Sequence, residues 1–433
     1  MYNEGTIKQG KLPLAQSKTR AKKNKLFTVL VVLSMLGNTY VVPFMPFITF
    51  GEVALLFACV VLLVSTEKFY LNIPTGIGIF IAYSIVISFS VSIVLNSFED
   101  ALFRIVRDLF YWILIVAFGH NFFDFTMFRK GVKIFCLLLS AFIFLQVGVY
   151  YLTGFLVPGL LPGGMIDSST NGQAVYDHIL FWVGHAGYLK PNGFLSEASH
   201  SAQCLFIGAI FVLYDGRKMS EHYGKLLTIL FFLAASVLTF SASAVIYCVF
   251  VGVLVLMNII KENYAKGFAT ILIIIFLGIA VLLNMGLVSI VNRVLNAFAG
   301  GADDGSAFIR IYKGFEVWGN LPGLYKFFGI GFGNYVAVSN TYLGIELESE
   351  FMSTFSYLLV STGIIGVFVI LAVFVKLFIK CDVGGRVMII ALFVMSMAAS
   401  VYSTPFWVWS LFWIFNSKKK NSVEGENVCT KNY

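Results

Sequence analysis

Charge is scarce in this chain: Asp, Glu, Lys and Arg make up only 12% of its 433 residues, against roughly a quarter in an average soluble domain. Proline is thin at 9 residues and histidine at 5. The six cysteines (Cys59, Cys136, Cys204, Cys248, Cys381, Cys429) show no C-x-x-C spacing, so neither a disulfide framework nor a thiolate metal site is expected. His178, His185 and His200 lack a recognised ligand spacing and no Asp-x-Asp occurs, so no metal or other cofactor is expected. What fills the chain instead is apolar. Residues of the AVILMFWYC set reach 59%, phenylalanine alone numbers 45, and the mean hydropathy is +0.87. Soluble enzymes, disordered tails and secreted mini-proteins are excluded, and a polytopic membrane protein, an all-α transmembrane helix bundle, is expected.

A helix needs about 20 apolar residues to cross a ~30 Å hydrocarbon core. That ruler gives twelve segments: 26–46, 49–66, 76–96, 101–119, 134–151, 199–215, 226–241, 243–260, 268–290, 351–375, 387–402 and 404–416. The count falls to eleven if the run 226–260 does not split at Ser241 and Ser243. The basic stretch Lys8 to Lys25 ahead of the first apolar run reads as an uncleaved signal anchor.

Sidedness follows from the cations. With the basic tail 1–25 placed in the cytosol, 23 of the 30 Lys and Arg fall on that side, leaving Arg104, Arg107, Lys190, Arg293, Arg310, Lys313 and Lys326. Such a bias sets both termini inside, the C-terminal tail being 417–433. The charge of +8 therefore belongs to a cytosolic rim rather than to one surface that could bind nucleic acid, which is not expected as a partner. Residues 26–416 form one membrane domain, with two long loops, 152–198 and 291–350, facing outward. Acidic residues outnumber basic ones in those loops, and long loops in compact proteins are commonly the working part.

Within the first loop, Ala174 to Tyr188 carries an apolar block flanked by Asp177, His178 and His185, suited to an interfacial helix or to a cover over other helices. Glu197 follows at the membrane mouth. It either serves the dipole of the next helix or, partly desolvated, takes a proton as a base; His200 competes for that role. In the second loop Arg310 and Lys313 share a helix face and could hold a diphosphate or reach lipid phosphates. Arg104 and Arg107 stand at the outer end of the fourth span, where Arg104 could equally pair with Asp108. The cluster Gly329-Ile-Gly331-Phe-Gly333-Asn334-Tyr335 has no β-α-β context and reads as a tight turn allowing close backbone approach.

In order, these parts resemble a known family, the bacterial O-antigen and capsular repeat-unit polymerases of Wzy type, related to the O-antigen ligases. The family pattern Arg-x-x-Gly-x-x-x-Glu-Pro-Ser-x-x-Ala is met by Lys190, Gly193, Glu197, Ser199 and Ala202, with Lys190 in place of Arg and Ala198 in place of Pro. Ser306-x-x-x-Arg310, Phe328 to Asn334, Asn340-Thr-Tyr-Leu and Ser361-Thr-Gly-Ile-Ile-Gly366 look like its later succession, and Leu238 to Ala244 like its Ser-rich break. Ligases of the group carry a His before the second-loop Asn, whereas Ser339 precedes Asn340 here.

The resemblance implies a GT-C-like, metal-independent membrane glycosyltransferase. It would join oligosaccharide repeat units, carried on undecaprenyl diphosphate in the lipid, at the outer face of the bacterial cytoplasmic membrane, building O-antigen, capsule or exopolysaccharide. A chain-length regulator and a flippase are the partner proteins it suggests. Arg310, Lys313 and Arg293 would hold the diphosphate, with Lys190, Arg107 and Arg104 as secondary contacts and Asn340 and Tyr335 toward the glycan. Glu197 or His200 would act on the acceptor hydroxyl. The rivals are ligase-type transfer of finished glycan and a transporter or flippase, which would bring ionisable groups to the membrane midplane.

Overall fold

The computed structural model describes residues 14–42, 45–66, 69, 73–159, 189–216, 223–262, 314–339, 341 and 352–417. Among these the chain is almost entirely helical. The first elements are α1 (Leu14–Gly37), α2 (Phe50–Val64), α3 (Thr75–Leu95), α4 (Phe98–Ile113), the one-turn α5 (Gly119–Phe122), α6 (Phe125–Thr153), α7 (Ala198–Leu213), α8 (Tyr223–Leu238) and α9 (Ala242–Glu262). Three short helices follow, α10 (Gly314–Asn320), α11 (Gly323–Phe328) and α12 (Tyr335–Val338), then α13 (Thr354–Lys380), α14 (Val383–Ala398) and α15 (Pro405–Asn416). Among the described residues four helices are long and apolar enough to cross a membrane: α3, α6, α9 and α13. The shorter apolar helices α7, α8 and α14 pack against them, and α2 packs on α1.

Helices lie on every expected segment except 268–290, which falls outside the described residues, but the boundaries differ informatively. The first helix begins inside the basic run and stops at Gly37, well short of residue 46. Beyond it the β-branched and proline-containing stretch forms a two-stranded antiparallel ribbon, β1 (Val41–Val42) with β2 (Met45–Thr49), an addition to the all-α expectation. Pro43 and Pro46 disfavour helix at the residues before them, and the backbones of α1 and α2 touch: a Cβ on Gly37 would lie 2.6 Å from the Cα of Gly51. The fourth segment runs on through a π-helical turn, Leu114–Phe118, into α5. The run 226–260 does split, with Phe240 at φ +50 between α8 and α9 and the Ser241 and Ser243 hydroxyls 2.9 Å apart.

The bundle is built around α7 and α15, which are buried along nearly their whole length. Aromatic packing closes this centre: Phe211 on Trp413 at 4.1 Å, Phe123 on Phe412 at 4.5 Å, and Phe206 stacked on Tyr247 at 4.5 Å. Residues on α2, α3 and α9 that face away from this centre are exposed and apolar, among them Phe57, Val64, Ile93, Val94, Val249 and Met257. Exposed apolar faces on buried-core helices suit a lipid environment.

Two ends of the bundle are chemically distinct. At one, α1, α6, α8, α9, α13 and α14 present Lys23, Lys25, Arg129, Lys130, Lys133, Lys225, Lys261, Lys376, Lys380 and Arg386. Contacts there include Lys23 to the Ser65 carbonyl at 2.6 Å and the Lys225–Asp215 pair at 3.3 Å. The other end gathers the ribbon, the α3–α4 turn, residues 189–198, α10 to α12 and the α14–α15 turn. Among the described residues its cations are Arg104, Arg107, Lys190 and Lys326.

Candidate functional site

On α4, Arg104, Arg107, Asp108 and Tyr111 fall at i, i+3, i+4 and i+7, a single helix face. The sequence alone suggested a position at the mouth of a span. Instead, Asp108 lies ten residues into the helix, about 15 Å along its axis at ~1.5 Å per residue, and this face turns into the bundle. Asp108 and Tyr111 are buried, while Arg104 and Arg107 keep 27% and 32% of their side chains accessible. Ionisable groups inside an apolar bundle are costly and mark function by default.

The two arginines are held very differently. Glu52, in the first turn of α2, is the partner of Arg107, with Arg107 Nε 2.7 Å from Glu52 Oε1. Tyr111 donates its hydroxyl to the same oxygen at 3.0 Å. The second oxygen accepts from the Thr49 backbone N–H at 2.9 Å and the Thr49 hydroxyl at 3.1 Å, and Thr49 Oγ1 accepts in turn from the Glu52 N–H. This is a capping box whose carboxylate has been recruited into an ion pair. Glu52 was not singled out by the sequence, because its partner is 55 residues away.

Arg104 is poorly satisfied by comparison. Its Nε is 3.7 Å from Asp108 Oδ1, too far for a hydrogen bond, and has no other hydrogen-bond partner. The guanidinium lies over the Tyr357 ring at 5.3 Å, a cation–π contact. Asp108 Oδ1 accepts a short hydrogen bond from the Ser403 hydroxyl, but Oδ2 is buried without a partner. Ser403 sits at φ +53 in the α14–α15 turn. The neighbouring Val401 and Tyr402 N–H groups are fixed by Thr354 Oγ1 at 2.6 and 3.1 Å. Between α3 and α4, Asp108 also lines a cavity of about 20 Å³ with Phe80, Ser84, Trp112, Phe332 and Tyr402. That is room for one water-sized guest.

The glycine cluster walls the same region. Gly329, Gly331 and Gly333 all take φ near +80. A Cβ on Gly331 would lie 2.3 Å from Ser88 Cα, and one on Gly333 2.5 Å from the Asp100 carbonyl, so the close approach expected of this turn is present. The loop docks on α13 where that helix breaks at Gly363 (φ +63, ψ −174). Ile330 and Gly331 donate N–H bonds to the freed carbonyls of Val360 and Ser361 at 3.1 and 2.7 Å. Asn334 donates to the Ser88 and Ile330 carbonyls and accepts from Ser97. Two stretches of the family-like succession, 328–334 and 361–366, are thus parts of one joint. Phe332 then stacks on Tyr402 at 5.5 Å, linking the joint to the α4 face.

Residues 190–200 form a second joint. Buried Gln146, near the end of α6, accepts from the Gly193 N–H at 2.9 Å and donates to the Gly193 carbonyl at 3.2 Å and the Val157 carbonyl at 3.1 Å. Gly193 takes φ +65 and lies against Leu139 and Ser201. Glu197 precedes α7, but its side chain makes no cap hydrogen bond. It accepts from Ser199 Oγ at 2.7 Å and is exposed. His200 is half-buried, its Nδ1 2.8 Å from Ser196 Oγ and its ring 5.7 Å from Phe406. Lys190 is half-buried at the start of the segment.

Tyr335, expected toward the glycan, is instead buried in a satellite apolar cluster with Val91, Val317, Leu321, Ile330 and Val338. Its hydroxyl pKa is pushed up to about 12 by desolvation. Arg104 does make the pair with Asp108 that its spacing allowed. Arg293, Arg310, Lys313, Asn340 and the block Ala174 to Tyr188 lie outside the described residues, and with them the expected convergence of Arg310 on Glu197. Among the described residues no group of three metal-ligating side chains occurs, and the described cysteines are free thiols, Cys136 and Cys204 with Sγ atoms 3.9 Å apart.

Two guanidiniums share one helix face at the end of the bundle that also carries the glycine joint and residues 190–200, and guanidinium is a chemistry suited to phosphate oxygens. No protein-family model matches the chain, and no curated protein matches it.

Proposed function

We propose that the chain is a membrane glycosyltransferase that polymerises oligosaccharide repeat units carried on a polyprenyl diphosphate, working at the glycine-joint end of the bundle. The observation that carries this reading is the inward face of α4. Arg104 and Arg107 set two guanidiniums, each beside a carboxylate, within a largely apolar body while keeping 27% and 32% of their side chains accessible, at the end where both family-like loop segments are anchored. A lipid-linked anion needs that combination, because its tail stays in the bilayer while its diphosphate needs cations.

In this reading the opposite, lysine-rich end lies in the cytosol with both termini, twelve spans cross the cytoplasmic membrane in a GT-C-like bundle, and the working end faces outward. Arg104 contributes to the diphosphate seat with Arg310, Lys313 and Arg293. Arg107, already bound by Glu52, supplies field rather than a new contact. Glu197 and His200, on the approach to α7, orient or deprotonate the acceptor hydroxyl. The exposure of Glu197 favours orientation over proton abstraction at neutral pH. The carrier is the leaving group, so no nucleotide or metal is invoked.

Buried charge on α4 also favours a second reading, a carrier that moves the same lipid-linked anion across the membrane. A gel of surface glycan from a deletion strain separates the possibilities. Loss of a polymerase leaves single repeat units displayed and removes the ladder. Loss of a flippase removes the displayed units as well, and loss of a ligase removes all attachment while lipid-linked polymer accumulates. Arg310→Ala and Glu197→Gln are expected to fold and insert yet restore no ladder, and normal ladders from both would remove those residues from the site.

A further inference from the structure

The contrast between the two ion pairs on α4 carries a further step. Glu52 and Arg107 are joined by a 2.7 Å hydrogen bond, and both Glu52 carboxylate oxygens are satisfied. Arg104 and Asp108 stand 3.7 Å apart, with Arg104 Nε and Asp108 Oδ2 both buried and both without a hydrogen-bond partner. An unmade hydrogen bond at a buried charged atom is expensive, so this pair is not at its best geometry for holding itself together.

The groups around Asp108 are few. Arg104 and Arg107 share its helix, Tyr357 comes from α13 beneath the Arg104 guanidinium, and Ser403 and Tyr402 come from the α14–α15 turn. Ser84 on α3 lines the cavity that Asp108 also lines, and Glu52 on α2 is matched to Arg107. The four charges Glu52, Arg104, Arg107 and Asp108 therefore sum to zero. An arriving anion makes this apolar surround net negative, and the cheapest relief is to neutralise the one carboxylate with a free oxygen.

Building on the reading above, we infer that Arg104 and Asp108 form an exchange site for a phosphate-type anion: the anion takes the guanidinium from Asp108, and Asp108 Oδ2 takes up one proton from solvent. The guanidinium stays charged, and the only bond made is O–H. Ser403 remains hydrogen-bonded to Oδ1 and positions the carboxyl. Arg104 is the residue that touches the ligand, Asp108 the one that times its release.

Calorimetry tests this with farnesyl diphosphate as a lipid probe and inorganic pyrophosphate as a free one, on the detergent-solubilised full chain between pH 6 and 8, in buffers of different ionisation enthalpy. The wild type is expected to take up close to one more proton per bound anion than Asp108→Asn. Relative to that variant, wild-type affinity is expected to fall by up to tenfold per pH unit as pH rises, since a single proton is linked to binding. Using the ratio to Asp108→Asn removes the titration of the probe itself. Ser403→Ala takes a donor from the charged carboxylate, so its profile should move to higher pH. It carries the test alone if Asp108→Asn does not accumulate. Equal proton counts in wild type and Asp108→Asn, or superimposed profiles for wild type and Ser403→Ala, overturn the exchange while leaving an anion site. No binding of either probe by the wild type overturns the site and the proposed substrate class together. Tighter binding of farnesyl diphosphate than of pyrophosphate assigns the site to a lipid-borne anion, and equal binding to the free one.

Discussion

Replacing Glu52 by Ala should destabilise the chain by several kcal/mol, about 4 in all. The carboxylate receives hydrogen bonds from Arg107, Tyr111 and twice from Thr49. Removing it strands a guanidinium, a buried phenol and the Thr49 N–H. Breaking a buried pair by deleting one partner costs about 3–5 kcal/mol. Because Arg107 keeps 32% of its side chain accessible, the low end applies, ~3 kcal/mol, to which the unsatisfied Thr49 N–H adds about 1 kcal/mol. At ~2 °C per kcal/mol for a chain of this size, the melting point of the detergent-solubilised protein should fall by roughly 8 °C. Fluorescence-detected size-exclusion after heating reads this directly. A double-mutant cycle with Arg107→Ala isolates the pair: once Arg107 is gone, Glu52→Ala should cost about 2 kcal/mol less than it does alone. A Glu52→Ala protein that melts within a degree of wild type, or costs that add without coupling, would refute the assignment of these charges to one buried network.

Other consequences are as concrete. Gly333→Ala should abolish accumulation of folded protein, because its Cβ would meet the Asp100 carbonyl at 2.5 Å and its φ is +82, whereas Gly319→Ala, with nothing within 4 Å, should leave chromatographic yield unchanged. Gln146→Leu leaves the buried Gly193 N–H unsatisfied, so it should lower stability by about 1–3 kcal/mol and expose residues 190–197 to limited proteolysis while the remaining fragments stay intact. Tyr335→Phe keeps the ring in its apolar cluster, so glycan ladders should be normal. Loss of ladders would return the hydroxyl to the site. Ultraviolet difference titration should show that the phenol lost in Tyr335→Phe is one that ionises only near pH 12, because burial disfavours its charged form.

Hydropathy located the helices because each buries or exposes a long apolar stretch whatever its neighbours are. It could not see that α1 stops at Gly37, where its backbone comes up against Gly51 in the next helix. The face of α4 was partly legible: the spacing of Arg104, Arg107, Asp108 and Tyr111 is in the sequence, and the Arg104–Asp108 pairing follows from it. Its inward direction was not, because the residues that receive it, Glu52, Tyr357, Tyr402 and Ser403, come from α2, α13 and the α14–α15 turn. For the same reason a local pattern correctly marked Gly329 to Gly333 as a close-approach turn yet carried no sign of Ser88 and Ser361, the groups approached. For Glu197 the sequence left a helix-dipole role and a desolvated base both open; its side chain makes no cap hydrogen bond and is exposed.

The break in α13 bears on how the bundle is assembled. Residues 354–380 are apolar enough to enter a bilayer as one uninterrupted rod, and nothing local stops them from doing so except one glycine. The carbonyls of Val360, Ser361 and Thr362 can be surrendered by that rod only when Ile330, Gly331 and the Tyr83 hydroxyl are there to receive them. The break is thus completed by groups from outside the helix, on a stretch of chain made earlier and on α3, so a chain truncated after residue 380 already contains every group that caps it.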